Sequence, residues 1–280
     1  MTALATTISQ LRTQIAAARK SGARIGLVPT MGALHEGHLS LVRELQNHAD
    51  MIVVSIFVNP TQFAPHEDFD HYPRTLEADT AKLTAAGGTS AIFAPSVREM
   101  YPEGSATRIE VGGPSHGLET DFRPHFFAGV ATIVAKLLLA AMPDAAIFGE
   151  KDYQQLLVIR RLVIDLRLQT EIIGAPIIRE ADGLAMSSRN AYLSPDERAI
   201  AAHMNLVLKQ AAARLHGGAP IIATEDDARR GLLRAGFSSV DYVAARDATT
   251  LEPITTLAHP ARILAAAKVG TTRLIDNMAV

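Results

Sequence analysis

The sequence predicts an α/β fold, a parallel sheet with helices on both faces, followed by a smaller α+β unit. Three observations carry this reading. Residues 51–58 read MIVVSIFV, an apolar, β-branched run of the kind a strand needs when both its faces are covered. Through the first half, short apolar runs alternate with helical stretches of about 10–15 residues, the sign of βαβ units. Near the C-terminus, three β-like runs follow two helices with no helix between them, so the second half obeys a different rule.

The elements follow in order. Residues 24–28 form a short buried strand that ends at Pro29, and 39–48 a helix. The strand at 51–58 comes next. A helix over 75–86 stops at Gly87-Gly88, and Ala91–Phe93 is a short strand closed by Pro95. Residues 129–142 form a helix closed by Pro143, 145–148 a strand, 153–168 a helix and 171–173 a strand. Ser194-Pro195-Asp196-Glu197 is a helix start with three agreeing signals: a serine N-cap, proline at the first helical position and glutamate two residues later. That helix runs to about His216 and stops at Gly217-Gly218. Thr224 opens another helix, with acidic residues in its first turn. The β-like runs 239–245, 262–267 and 272–275 complete the chain. The expected boundary lies near residues 176–178, giving a first domain over 1–177 and a second over 178–280.

Composition removes several classes of function. With 280 residues the chain can bury a substantial core. Its formal net charge of −2 leaves no basic surplus for nucleic acid or an anionic membrane, so an anion site must be a local cluster. The absence of cysteine excludes disulfides, thiolate metal sites and thiol catalysis. The first ten residues do not read as a signal peptide. The most apolar stretch, 129–142, contains Lys136 and falls short of the roughly 20 residues that span a bilayer. A cytoplasmic protein is expected.

The strongest motif runs from Met31-Gly32-Ala33-Leu34 into His35-Glu36-Gly37-His38, between a strand and a helix. His35 and His38 are three apart and share one face of the first turn. Gly37 between them lets a phosphate or base approach the backbone. Helix-start N–H groups add partial positive charge, so the motif suits a triphosphate whose leaving pyrophosphate gathers charge. A zinc protease would need His-Glu-x-x-His, and position 39 is Leu. A metal site completed by distant carboxylates, or two plain surface histidines, are the competing readings.

A second motif, Gly149-Glu150-Lys151-Asp152, again joins a strand to a helix. Lys151 is a point charge suited to phosphate, whereas Asp152 serves equally well as a helix cap. Gln155, one turn on, can donate to a carboxylate and accept from a hydroxyl, as a reader of hydroxy acids should. A third, Met186-Ser187-Ser188-Arg189, offers two hydroxyls and a guanidinium to an anion, although alone it reads as a surface loop. Together with the histidine motif it makes the pattern of enzymes that transfer AMP to an acyl group. Gln62 follows the second long strand and would reach the same end of the sheet. Asp79 could meet Mg²⁺, which takes one or two carboxylates beside phosphates, or it could serve the helix dipole alone.

These four motifs, in this order and nearly end to end, resemble the pantothenate synthetase (pantoate–β-alanine ligase) family of HIGH-motif nucleotidyltransferases. The match runs from Val28-Pro29-Thr30-Met31-Gly32 to Thr272-Arg273-Leu274-Ile275-Asp276-Asn277. The resemblance implies a Rossmann-like N-terminal domain, a small C-terminal lid and a homodimer. It implies an ATP- and Mg²⁺-dependent condensation of D-pantoate with β-alanine through a pantoyl adenylate, releasing pyrophosphate and then AMP. It also implies that Met31 through His38, Gly149 through Asp152, Ile178 and Met186 through Arg189 serve ATP. Within these sets His35, His38, Lys151 and Arg189 are catalytic, with His38 the candidate proton donor. Gln62 and Gln155 hold pantoate, Gln62 lies near β-alanine too, and Ile178 meets the adenine through its backbone. A labile adenylate must be kept from water, which a closing lid would do.

One departure stands out. The family pattern Arg-Pro-x-His-Phe is here Arg123-Pro124-His125-Phe126-Phe127, with the histidine one place early. Either His125 compensates from a loop, or the site works without that histidine and Phe126 packs. Two other classes also stand: a nucleotidyltransferase that builds a nucleotide-containing coenzyme, and a non-catalytic nucleotide-binding module. The Gln62/Gln155 pair argues against the first. His38, Lys151 and Arg189 argue against the second.

Overall fold

The computed structural model describes residues 2–63, 69–70 and 72–280. The chain forms two compact units, each packed mainly on itself. The first holds Met1–Val111, Arg123–Glu150 and Val158–Pro176; the second holds Gly112–Phe122, Lys151–Leu157 and Ile177–Val280. The main boundary therefore falls at residues 176–177, but two inserted segments belong with the C-terminal unit.

The first unit begins with β1 (Ala3–Ala5) and α1 (Ile8–Lys20), both missing from the sequence reading. Their signal was present, because Thr7 and Gln10 form a capping box at the start of α1. There follow β2 (Ile25–Thr30), α2 (Glu36–Leu45), β3 (Met51–Ile56), α3 (Leu76–Ala86), β4 (Ala91–Phe93) and the single-turn α4 (Val97–Met100). After the short α5 (Glu119–Phe122) in one inserted segment come α6 (Phe126–Ala141), β5 (Ala145–Gly149), α7 (Tyr153–Asp165), whose residues up to Leu157 belong to the second unit, and β6 (Glu171–Ala175).

The six strands pair in the order β1-β4-β3-β2-β5-β6, and every pairing is parallel. From β2 the chain builds outward through β3 and β4, then returns to add β5 and β6 on the other side. The order reverses between β2 and β5, and in open parallel sheets ligands bind beyond the carboxyl ends of the strands at such a point. Pro29 does not end the strand as expected, since β2 continues to Thr30. Its ladder to β5 holds only Gly26 and Leu27, so Pro29 has no β5 partner for its missing N–H to disappoint. β3 is buried at every position from Met51 to Ser55, as its unbroken apolar run requires. Val28, Ile52, Val54, Ile92 and Ile147 form one side of the sheet's core, with Leu41, Val42 and Leu45 of α2 packed on it.

In the second unit α8 (Pro195–His216) and α9 (Ile221–Ala235) pack on an antiparallel sheet of β7 (Ser239–Asp247), β8 (Ala261–Val269) and β9 (Thr272–Ala279). The Ser194–Glu197 capping box is formed in full. Thr224 is not where α9 opens. The helix begins at Ile221, and Thr224 lies inside it with its hydroxyl donating 2.9 Å to the Pro220 carbonyl, a local bond that lets a threonine sit within a helix. Among the described residues no helix is long and apolar enough to cross a membrane.

Candidate active site

In the first unit the carboxyl ends of β2, β3 and β5 carry the His35–His38 motif, Gln62 and Gly149-Glu150 respectively. His35 is the N-cap of α2 and His38 its third residue, and the two form a capping box made of imidazoles. The His35 Nδ1 accepts the Gly37 N–H at 3.1 Å, and the His38 Nδ1 accepts the His35 N–H at 3.3 Å. An Nδ1 that accepts cannot carry the proton of a neutral imidazole, so in both rings that proton is on Nε2. The rings are tilted against each other, with centroids 4.1 Å apart. The local fold thus makes two adjacent imidazoles into N–H donors of fixed tautomer.

The segment leading to them is strained and tied down. Gly32 has φ of +85° and Ala33 of +51°, a region that costs an alanine about 1 kcal/mol or more. Asp79 of α3 answers this. Its carboxylate, fully buried, accepts the N–H of Ala33 at 2.9 Å, the N–H of Leu34 at 2.8 Å and the Thr75 hydroxyl at 3.0 Å. One turn along α3, Lys82 donates to the Leu34 carbonyl at 2.6 Å. The N–H and the carbonyl of Leu34 are therefore both held by one helix. Met31 is half-buried, and Glu36 is exposed and pairs with Arg43.

Gln62 is buried at the end of a 3-10 turn, Pro60–Gln62, capped by Asn59. Asn59 accepts from Thr61 and from the Tyr101 hydroxyl at 2.8 Å, and donates to the Gly129 carbonyl at 3.2 Å. Gly129 is required here, because a Cβ would collide with the Thr61 carbonyl. The Arg123 guanidinium lies 3.9 Å over the Phe126 ring and donates to the Gln62 carbonyl at 3.1 Å. Phe126 thus packs beneath the group that holds Gln62. His125 is the N-cap of α6, outside the helix, and its buried Nε2 has no hydrogen-bond partner among the described residues. Burial pushes the Tyr101 hydroxyl pKa up, against the opposing bonds from Thr61 and Asn59, so it stays a donor. The sequence gives Asn59, Arg123 and Gly129 no part in holding Gln62, although Asn59-Pro60 is a turn-start signal in plain view.

The second unit carries the remaining residues. Lys151 is 19% exposed at its side chain and lies 3.8 Å from Asp152, so Asp152 is a charge partner for it. The two glutamines that follow have opposite fates. Gln154 is buried, accepting the Glu119 N–H at 3.2 Å and donating to the carbonyls of Pro114 and Gly117 at 3.0 and 3.1 Å. Gln155 is half-buried. Ile178 accepts the Met186 N–H at 3.0 Å across a small antiparallel bridge between Arg179 and Ala185. Ser187 caps the 3-10 turn Ser188–Tyr192 and accepts the Arg189 N–H at 3.3 Å; Met186 through Arg189 are all half-buried.

Among the described residues no group of three or more histidines or carboxylates could hold a metal. Asp79 already spends three of the roughly four acceptor positions of its carboxylate on Ala33, Leu34 and Thr75.

A family model described as pantoate-beta-alanine ligase matches residues 3–279. A pantothenate synthetase of Mesorhizobium japonicum is 57% identical over 273 residues, covering 98% of this chain and 96% of that protein. One of Nitrobacter hamburgensis is 53% identical over 280 residues, covering 99% and 98%. Among solved structures, a pantothenate synthetase from Thermus thermophilus superimposes with a TM-score of 0.92 at 43% identity, covering 99% of this chain and 98% of that one. A pantoate-beta-alanine ligase from Francisella tularensis, complexed with beta-gamma ATP and beta-alanine, superimposes with a TM-score of 0.84 at 33% identity, covering 99% and 97%.

Proposed function

Because the chain belongs to the pantoate–beta-alanine ligase family, we propose that it joins D-pantoate to β-alanine in two steps. A pantoate carboxylate oxygen attacks the α-phosphorus of ATP. The bond from that phosphorus to the bridging oxygen breaks, and pyrophosphate leaves. The amine of β-alanine then attacks the carbonyl carbon of the pantoyl adenylate, loses a proton and expels AMP. ATP enters as its Mg²⁺ complex, with the ion as part of the substrate.

The observation that carries this reading is the pair of imidazoles whose Nε2–H groups are fixed by backbone bonds to their Nδ1 atoms. They can donate to phosphate oxygens as the leaving group gathers charge, with no reorganisation at the moment of reaction. Lys151 and Arg189 add positive charge for the phosphates, and Met31–Leu34, Glu36, Gly37, Gly149, Glu150, Asp152, Ile178, Met186, Ser187 and Ser188 shape the ATP site. Gln62 and Gln155 read the hydroxy acid. Asp79 braces the histidine loop, and its remaining acceptor position is the one open to the Mg²⁺ of the substrate complex. The same proposal includes a cytoplasmic homodimer, whose mass sedimentation would give.

With ATP and D-pantoate alone, pyrophosphate should appear in about one equivalent per site and then stop, since no protein nucleophile is needed and the adenylate stays bound. Adding β-alanine should start sustained turnover. Pyrophosphate that forms only once β-alanine is present would rule out the stepwise route. Gln155→Ala should weaken pantoate far more than ATP, because a site built to hydrogen-bond a hydroxy acid leaves its other polar groups unpaired when one partner goes. Calorimetric titration of each ligand tests this, and equal weakening of both would mean that Gln155 only shapes the pocket.

A further inference from the structure

Asp276 and Asn277 are adjacent on β9, both almost completely buried, and neither touches water to any useful extent. Successive side chains of a strand point to opposite faces, so one dipeptide can reach two different segments. Asn277 spends both halves of its amide. Its Oδ1 accepts from the Arg262 guanidinium, and its Nδ2 donates to the Lys151 backbone carbonyl at 2.9 Å. Arg262 in turn stacks 3.8 Å over the ring of Tyr153, two residues past Lys151. Tyr153 is pinned at its far end, where its hydroxyl donates to the Ala248 carbonyl at 2.7 Å.

Asp276 works on the other segment. Its carboxylate receives both terminal nitrogens of Arg179, at 2.7 and 2.9 Å. Arg179 also donates to the Gly183 carbonyl at 3.1 Å and to the Asn277 carbonyl at 3.3 Å. It therefore closes the base of the hairpin that joins Ile178 to Met186. A bidentate arginine–carboxylate pair fixes orientation as well as position. All these contacts lie within the second unit.

We infer that Asp276 and Asn277 are positioning residues for the reaction, Asn277 acting through Lys151 and Asp276 through the 178–189 segment. The inference rests on the reading that Lys151 and Arg189 serve ATP. A lysine is a point charge on a flexible four-carbon stem, so its aim depends on where the stem is rooted. Holding the Lys151 carbonyl fixes the peptide plane from which that stem leaves. Errors of about 1 Å at such a root can cost as much as 10²-fold in rate.

Asn277→Asp is the discriminating variant. It keeps the size and the acceptor facing Arg262, but sets a carboxylate oxygen against the Lys151 carbonyl in place of a donor. Single-turnover pyrophosphate release at saturating ATP and D-pantoate should fall by about tenfold or more, while the ATP concentration for half-saturation changes much less. In a Lys151→Ala background the same substitution should add almost nothing, since groups that act through one another are not additive. Asn277→Ser, which deletes both bonds without adding charge, repeats the test if the aspartate variant folds poorly. Asp276→Asn should instead raise the half-saturating ATP concentration, with a smaller loss in rate.

A parental rate in Asn277→Asp, or losses that multiply in the double variant, overturns the Asn277 assignment while Lys151→Ala stays impaired. An unchanged half-saturation in Asp276→Asn overturns the other half. A parental rate in Lys151→Ala itself overturns the site reading, and the positioning role with it.

Discussion

His38→Ala and Lys151→Ala should each lower the rate of pyrophosphate release from ATP and D-pantoate by roughly 10²–10³-fold, the usual loss for one donor aimed at transition-state charge. For His38 the argument rests on the tautomer. Its Nδ1 is committed to the His35 N–H, so its Nε2 carries the proton with which it hydrogen-bonds the charge that builds on the phosphates. The alanine variant also removes a cap, worth about 1 kcal/mol, and His38→Asn separates the two effects. Asparagine can accept the His35 N–H, yet it lacks the reach of the imidazole, so the helix start should recover and the rate should not. For Lys151 the cost to folding is small. Its partner Asp152 is 44% exposed, and ion pairs open to solvent contribute little. Circular dichroism should match the parent for all three variants. A loss under about tenfold in either alanine variant would take that residue off the catalytic list.

The parts of this molecule that could be read from its sequence are those whose signals are local. β3 declared itself as a continuous apolar run, and α8 by its Ser194-Pro195-Asp196-Glu197 start. The histidine motif was legible because strand, loop and helix start are contiguous. β1 and α1 were missed because β1 has three residues and α1 buries only Leu11 and Ile15, too few to make a periodic stripe. Asp79 sat in the first turn of a helix, where an acidic residue means a dipole partner by default. What defines it is a pair of backbone N–H groups 45 and 46 residues away. Gln154 and Gln155 are chemically identical, and only helical phase separates the buried clamp from its half-buried neighbour. The inserted segment 112–122 was beyond sequence reasoning altogether. Its attachment to the second unit runs through Glu119 and Arg273, 154 residues apart.

Glu119→Ala should destabilise the second unit by about 3 kcal/mol, the lower end of the cost of removing one partner from a buried ion pair. Arg273 lies between two carboxylates. It donates to Glu119 at 2.9 Å and to Asp241 at 2.7 Å, and a second contact to Glu119 is 2.8 Å. Burial works against its charge, but Glu119 and Asp241 outweigh this and hold its pKa above the ordinary arginine value. Removing Glu119 leaves the guanidinium with Asp241, which is why the lower end of the range applies. For a unit of this size, that loss is a drop of roughly 10–15 °C in melting temperature. Glu119→Ala combined with Arg273→Met and Asp241→Asn should recover much of it, because no member of the cluster is then left charged without its partner. Tyr242 adds a pH signature. Its hydroxyl donates to Glu119 at 3.0 Å, and its pKa is pushed well up, first by burial and then by the Glu119 charge. A group whose pKa is higher folded than unfolded contributes its full stability below the unfolded value, about 10 for tyrosine, and loses it as pH rises towards the folded value. Melting temperature should therefore fall more steeply above about pH 10 in the parent than in Tyr242→Phe. Parallel curves for the two proteins would show that Tyr242 does not titrate with folding. A Glu119→Ala variant that melts with the parent would show that Arg273 needs only Asp241.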